Sequence, residues 1–280
     1  MPAEMARRPS TLPRALRAAP VPDVYATQAR VRRALREGRA VVAYQPVVDA
    51  RALSRVSYYE ALIRLQSPNG TLLAPDQFLP AIAGTPLAAA IDLAALKAVL
   101  AKLRQRGDLR LAVNICSASL ENSAWLDALR AAAARAPDIA YRLVLEITED
   151  AGLLDHPAFP DFMATVDRLG VTLALDDFGA GATGFATLRA QRVDMLKIDG
   201  SYGAGLAHCP DAQALVGAMV EVARHFDMMT VIEHIDDPAD AHRAMAIGVD
   251  CLQGFMFGRP AREVCDRHDR GNTADGQRRR

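Results

Sequence analysis

The chain predicts a single α/β fold, a TIM-like (β/α)8 barrel with an antiparallel first strand. Three observations predict it. Eight short apolar runs recur over about 220 of the 280 residues, amphipathic helical patterns separate most of them, and the first two runs are too close to enclose a helix. No internal repeat is present, which argues against a solenoid.

Taken in order, the stretch 1–24 mixes Pro2, Pro9, Pro13, Pro20 and Pro22 with arginines and reads as a flexible tail. Val31, Ala34 and Leu35 then recur at helical spacing, and Gly38 ends that helix. The expected strands are 41–48, 56–65, 111–116, 142–148, 171–176, 195–199, 230–235 and 251–256. Helical patterns fall at 92–106, 123–134, 159–169, 184–190, 211–226 and 237–247. Between the first two strands lie only residues 49–55, which suits a hairpin and sets the first strand antiparallel. Apolar periodicity vanishes after Arg259-Pro260. The barrel domain therefore spans 25–262, and 263–280 reads as a disordered tail.

Composition narrows the function classes. Lysine plus arginine equals aspartate plus glutamate at 33 each, so no global charge steers the chain to a nucleic-acid duplex or an anionic membrane. Cys116, Cys209, Cys251 and Cys265 lack paired short spacing, which suits a reducing cytosol rather than a disulfide framework or zinc site. No apolar run nears the roughly 18 to 20 residues that span a bilayer, and no apolar segment follows the N-terminal arginines as a secretory signal would require. The expectation is a soluble cytoplasmic protein.

The chemistry lies at the strand ends. An isolated pair such as Asp176-Asp177 is most simply a helix cap and a solvated neighbour. Here, however, every run carries a polar group: Gln45, Glu60, Asn114, Glu146, Asp176-Asp177, Lys197, Glu233 and Gln253. An uncompensated charge beside apolar residues costs several kcal/mol, and barrels converge their C-terminal strand ends on one face. Eight such groups are hard to explain as caps. Glu60, Asn114, Glu146, Asp176 and Asp177 are hard oxygen donors suited to Mg²⁺ or Mn²⁺. Asp176 could bridge two ions with Asp177 at the second, and Lys197, one of three lysines, needs carboxylates around it. Adjacent strand residues face opposite ways, so both aspartates serve one site only where the strand stops and bends. His234 is read as a supporting or core residue.

With these residues in view, the chain resembles the EAL-domain family of cyclic-di-GMP phosphodiesterases from about residue 41 to 260. The naming motif stands as Glu60-Ala61-Leu62-Ile63-Arg64. Around it, in the family's order, come Tyr44-Gln45-Pro46, Val113-Asn114, Leu145-Glu146-Ile147-Thr148-Glu149, Asp176-Asp177-Phe178-Gly179, Lys197-Ile198-Asp199 and Gln253-Gly254. The resemblance implies hydrolysis of cyclic di-GMP to the linear dinucleotide with two metal ions per site. It implies Glu60, Asn114, Glu146 and Asp176 at one metal, and Asp176 and Asp177 at the second. Lys197 and Glu233 would be catalytic, near the attacking water. Gln45, Arg64 and Gln253 would serve the substrate, and Glu149 would anchor the loop after the aspartates. A homodimer, and a protein partner reached through the tails, are compatible with it.

Two departures leave alternatives open. The loop reads Gly179-Ala180-Gly181-Ala182-Thr183-Gly184-Phe185, where the family has Gly-Thr-Gly-Tyr-Ser-Ser-Leu. His234 and Asp236 stand where relatives have glycine and glutamate, and the imidazole could crowd the site. A catalytically weak or inactive cyclic-di-GMP receptor acting through protein partners, or an interaction module without ligand, are the competing expectations.

Overall fold

The computed structural model describes residues 23–148, 154–180, 188 and 193–264. Glu149, residues 181–187 of the altered loop, residues 1–22 and residues 265–280 lie outside the described residues, as does all but Leu188 of the helix expected at 184–190.

Nine strands form one sheet: β1 (Ala40–Asp49), β2 (Ala52–Gln66), β3 (Leu72–Leu73), β4 (Leu111–Ile115), β5 (Leu143–Thr148), β6 (Thr172–Phe178), β7 (Met195–Ile198), β8 (Met229–Ile232) and β9 (Cys251–Gln253). Their order is β1-β9-β8-β7-β6-β5-β4-β2-β3, and a β1–β2 pairing closes the ring. The two-residue β3 hangs from the end of β2, so eight strands make the barrel. Strand β1 is antiparallel to both neighbours, β2 and β9, while the remaining barrel pairs are parallel. The antiparallel first strand is as expected. Its turn is shorter than expected, because β2 begins at Ala52 and Ala50-Arg51 alone connect the pair.

Helix limits follow local chemistry. The helix expected from residue 92 begins at Pro86, where proline loses no helical hydrogen bond and Thr85 Oγ1 accepts from Leu87 N. Helix Phe159–Leu169 has the expected limits and stops at Gly170, whose φ of 77° ends it in the left-handed region. Short helices at Leu79–Ile82, Asp138–Tyr141 and Gly200–Gly203 had no periodicity to announce them.

Two apolar zones position the site. Outside the sheet, strand residues such as Leu111, Leu145 and Leu196 pack on helix residues Leu96, Trp125 and Phe162. Inside lies one ring of buried residues, one from each barrel strand: Val47, Tyr58, Ala112, Val144, Ala174, Met195, Val231 and Cys251. Among the described residues no helix is long and apolar enough to cross a membrane.

Candidate active site

Strand side chains repeat every second residue on one face. Two residues from each member of the apolar ring stands a polar one: Gln45, Glu60, Asn114, Glu146, Asp176, Lys197, Glu233 and Gln253. On antiparallel β1 the step runs backwards, from Val47 to Gln45. On the parallel strands it runs towards the C-terminal end. The polar set is thus a second layer stacked on the first; seven barrel strands contribute to it from within their limits, and Glu233 stands one residue past the end of β8.

Lys197 is fully buried at its centre. Its Nζ lies 2.8 Å from Asp176 Oδ1, 2.9 Å from Glu233 Oε1, 3.3 Å from Glu146 Oε1 and 3.7 Å from Glu60 Oε2. Asn114 Nδ2 donates to Glu60 Oε1 at 3.1 Å and to Glu146 Oε2 at 3.3 Å. Gln253 Nε2 donates to Glu60 Oε2 at 2.6 Å and, more weakly, to Gln45 Oε1 at 3.4 Å. Gln45 is paired with Glu60 across the hairpin.

The aspartate pair meets its geometric demand differently from the expectation. Strand β6 does not stop before it. Between Leu175↔Leu196 and Phe178↔Ile198, β6 advances three residues while β7 advances two. The extra residue makes a bulge, and Asp177 takes a φ of 55° there. Asp176 stays buried and inward, Asp177 is exposed above it, and Phe178 returns to the core.

Electrostatics follow from burial and charge excess. Four carboxylates face one ammonium. Burial lowers Lys197, but Asp176, Glu146, Glu233 and Glu60 outweigh it and hold the ammonium protonated. Burial pushes Glu146 well above the usual carboxylate range, and the charge of Glu60 adds to this. Burial also raises Asp176 against the pull of Lys197, and raises Asp177 together with the charge of Asp176. Burial lifts Glu233 to about 7, with Lys197 opposing. Glu60 goes the other way. Its burial is outweighed by Lys197 and by the hydrogen bonds from Gln253 and Asn114, so it lies below its usual range.

This set fits divalent cations. Glu60, Glu146 and Asp176 can bring one oxygen each within 4.8 Å of one another, and so can Asp176, Asp177 and Glu233. Asp176 belongs to both groups. Glu146 Oε1 and Asp176 Oδ1 are buried with only the Lys197 ammonium facing them, which leaves four carboxylates to one cation, and all the candidate ligand atoms are hard oxygens. Asn114 can turn its amide oxygen towards the first group by rotating about its last torsion.

Two hollows flank the layer and meet at Leu62, Asp176 and Asp177, which line both. One, of about 390 Å³, is bounded by Ile82, Ile91, Asn114 and Cys116; the other, of about 680 Å³, by Glu233, His234, Gln253 and Phe255. Arg64 lies two further alternations along β2 from Glu60, half-buried, with Nη1 donating to Ile63 O at 2.9 Å. His234 does line the larger hollow. The residue is exposed with a φ of 55°, and its ring lies against Gly200. Cys116 is no nucleophile, because burial pushes its thiol up to about 12.

Sequence reasoning missed two residues at the site. Tyr58 belongs to the apolar ring, and its buried hydroxyl has no hydrogen-bond partner. Asp240 lines the larger hollow and accepts from Gly205 N and Ala207 N. The period-two step from Tyr58 to Glu60 was the available signal for the first; nothing local marked the second.

Comparison with known proteins identifies the family. Residues 28–260 match the EAL domain family. The bifunctional diguanylate cyclase/cyclic di-GMP phosphodiesterase MucR of Pseudomonas aeruginosa is 31% identical over 235 residues, which cover 82% of this chain and 34% of that protein. Cyclic di-GMP phosphodiesterase PdeF of Escherichia coli is 27% identical over 242 residues, 85% of this chain and 32% of that one. The chain thus spans about a third of these relatives. Among solved structures, the PaMucR phosphodiesterase in complex with c-di-GMP superposes with a TM-score of 0.75 at 30% identity, covering 84% of this chain and 97% of the other. An EAL domain protein from Listeria monocytogenes gives 0.73 at 25% identity, with 84% and 93% covered.

Proposed function

The chain belongs to the EAL domain family, and from that premise we propose that it hydrolyses one phosphodiester bond of cyclic di-GMP, giving the linear dinucleotide. The observation that carries this reading is the pair of carboxylate groups sharing Asp176 above a buried lysine. Glu60, Asn114, Glu146 and Asp176 would hold one Mg²⁺ or Mn²⁺ ion; Asp176, Asp177 and Glu233 would hold a second. Divalent ions in such a site supply Lewis acidity, favouring attack by water and departure of an alkoxide.

The chain's own groups account for the rest. Lys197 keeps the carboxylates together and would contribute positive charge towards a bound phosphate. Glu233 completes the second carboxylate group and would orient the attacking water beside the ion it helps to hold. Arg64 would grip a phosphate through its planar fork. Gln253 acts through Glu60, which it hydrogen-bonds, and with Gln45 closes the layer. Two hollows meeting at Asp176 suit a ligand with two nucleoside halves.

Purified protein incubated with cyclic di-GMP and either Mg²⁺ or Mn²⁺ should release the linear dinucleotide. No product with either metal, from protein shown to be folded, would overturn the reading. Binding retained without turnover would favour a receptor instead.

A further inference from the structure

Helix Gly200–Gly203 is only one turn long, yet it touches both bends that carry the second carboxylate group. On one side, Tyr202 Oη donates to Gly179 O at 3.0 Å. The ring of Tyr202 lies so close to Gly179 that a Cβ there would come within 2.8 Å of it. Gly179 follows Asp177 by two residues and has a φ of 94°, so this contact fixes the far end of the bulge.

On the other side, two glycines three residues apart form a flat seat on the same short helix. A Cβ on Gly203 would lie 1.9 Å from the carbonyl oxygen of Glu233, and one on Gly200 would lie 2.2 Å from His234 Nδ1. The chain at Glu233-His234 therefore rests directly on helix backbone. Ile198 O accepts from Glu233 N, and Phe178 O accepts from Asp199 N, tying the helix's own start to both bends.

We propose that Gly200–Gly203 is a positioning clamp that sets Asp177 and Glu233 at a common spacing, with Tyr202 holding the first and the Gly200/Gly203 seat holding the second. Neither Tyr202 nor the glycines touch substrate; they act through the carboxylates. The metal-binding part of this inference rests on the reading of Asp176, Asp177 and Glu233 as cation ligands. The mechanical part does not.

The full chain is tested with two readouts, amide hydrogen exchange and Mn²⁺ titration followed by electron paramagnetic resonance. Tyr202→Phe keeps the ring and removes only the hydroxyl. It should speed exchange at both 177–180 and 233–235. It should also weaken one of two Mn²⁺ ions, the one that Glu60→Ala leaves in place, by about tenfold while the other holds within about twofold. Gly200→Ala should do the same, and adding His234→Gly should restore exchange and Mn²⁺ affinity to the levels of His234→Gly alone, because the crowding atoms are gone. Faster exchange in one segment only, equal weakening of both ions, or failure of that rescue would overturn the clamp. A native protein that binds no Mn²⁺ would overturn the proposed function instead, and exchange and rescue would then judge the clamp by themselves.

Discussion

Lys197 Nζ stands 2.8 Å from Asp176 Oδ1, beneath the one carboxylate that belongs to both candidate cation groups. The lysine has no exposure to solvent, so its charge is balanced by its neighbours or not at all. It is a counter-ion first, and any role towards substrate follows from that.

Lys197→Met should therefore destabilise the metal-free protein by about 3–5 kcal/mol, the range for removing one partner of a buried ionic group. Turnover should be lost as well. Mn²⁺ should recover part of the stability, since a cation replaces some of the missing charge. Urea denaturation in EDTA and in Mn²⁺ measures both effects; an unchanged midpoint in EDTA would refute the counter-ion role.

A second expectation concerns pH. Glu233 titrates at about 7 in the folded protein, above the ordinary 4.5. A raised carboxyl favours folding while it is protonated. Its contribution is full below about pH 4.5 and is lost as pH rises through about 7. Asp176 and Glu146 are raised and act with the same sign, while Glu60 is lowered and opposes them. In EDTA the Tm should fall as pH is raised from about 5 to about 8, and Glu233→Gln should flatten the fall. Parallel profiles for the native protein and this variant would show that Glu233 does not titrate in that window.

Much of this site was legible because every apolar run expected as a barrel strand carries a polar residue of the set, from Gln45 to Gln253. The alternation that lifts each of them two residues above Val47, Tyr58, Ala112 and their ring-mates was equally present in the chain. The bulge was not. Whether β6 stops or bulges at Asp176-Asp177 is decided by pairing with β7, which lies nearly twenty residues on. Asp240 was hidden for a similar reason, since the amides it accepts from belong to Gly205 and Ala207, far away in sequence. The seat for His234 depends on Gly200, which no local pattern marked.

The two cation groups can be separated by substitution. Glu60 belongs to one and Asp176 to both. Glu60→Ala should weaken one Mn²⁺ ion and Asp176→Asn both, and either should slow turnover by at least about 10³-fold, given the several kcal/mol such ions contribute. Circular dichroism should report an intact fold. Near-full activity in either variant would show that the assignment of ligands is wrong.

Arg64 offers a contrast because it stands apart from Lys197 and reaches no carboxylate in an ion pair among those described. Half-burial lowers the stability of its charge, while Glu60 and Asp76 partly restore it. A guanidinium so placed, with most of its donors uncommitted to the fold, is suited to a phosphate of the ligand. Arg64→Ala should raise KM by about tenfold with a smaller change in kcat, as expected for an interaction made in both ground and transition states. Arg64→Lys should recover only part of the loss, because an ammonium supplies the charge without the two-pronged geometry. A fall in kcat at constant KM would instead place Arg64 with the groups that act on the transition state.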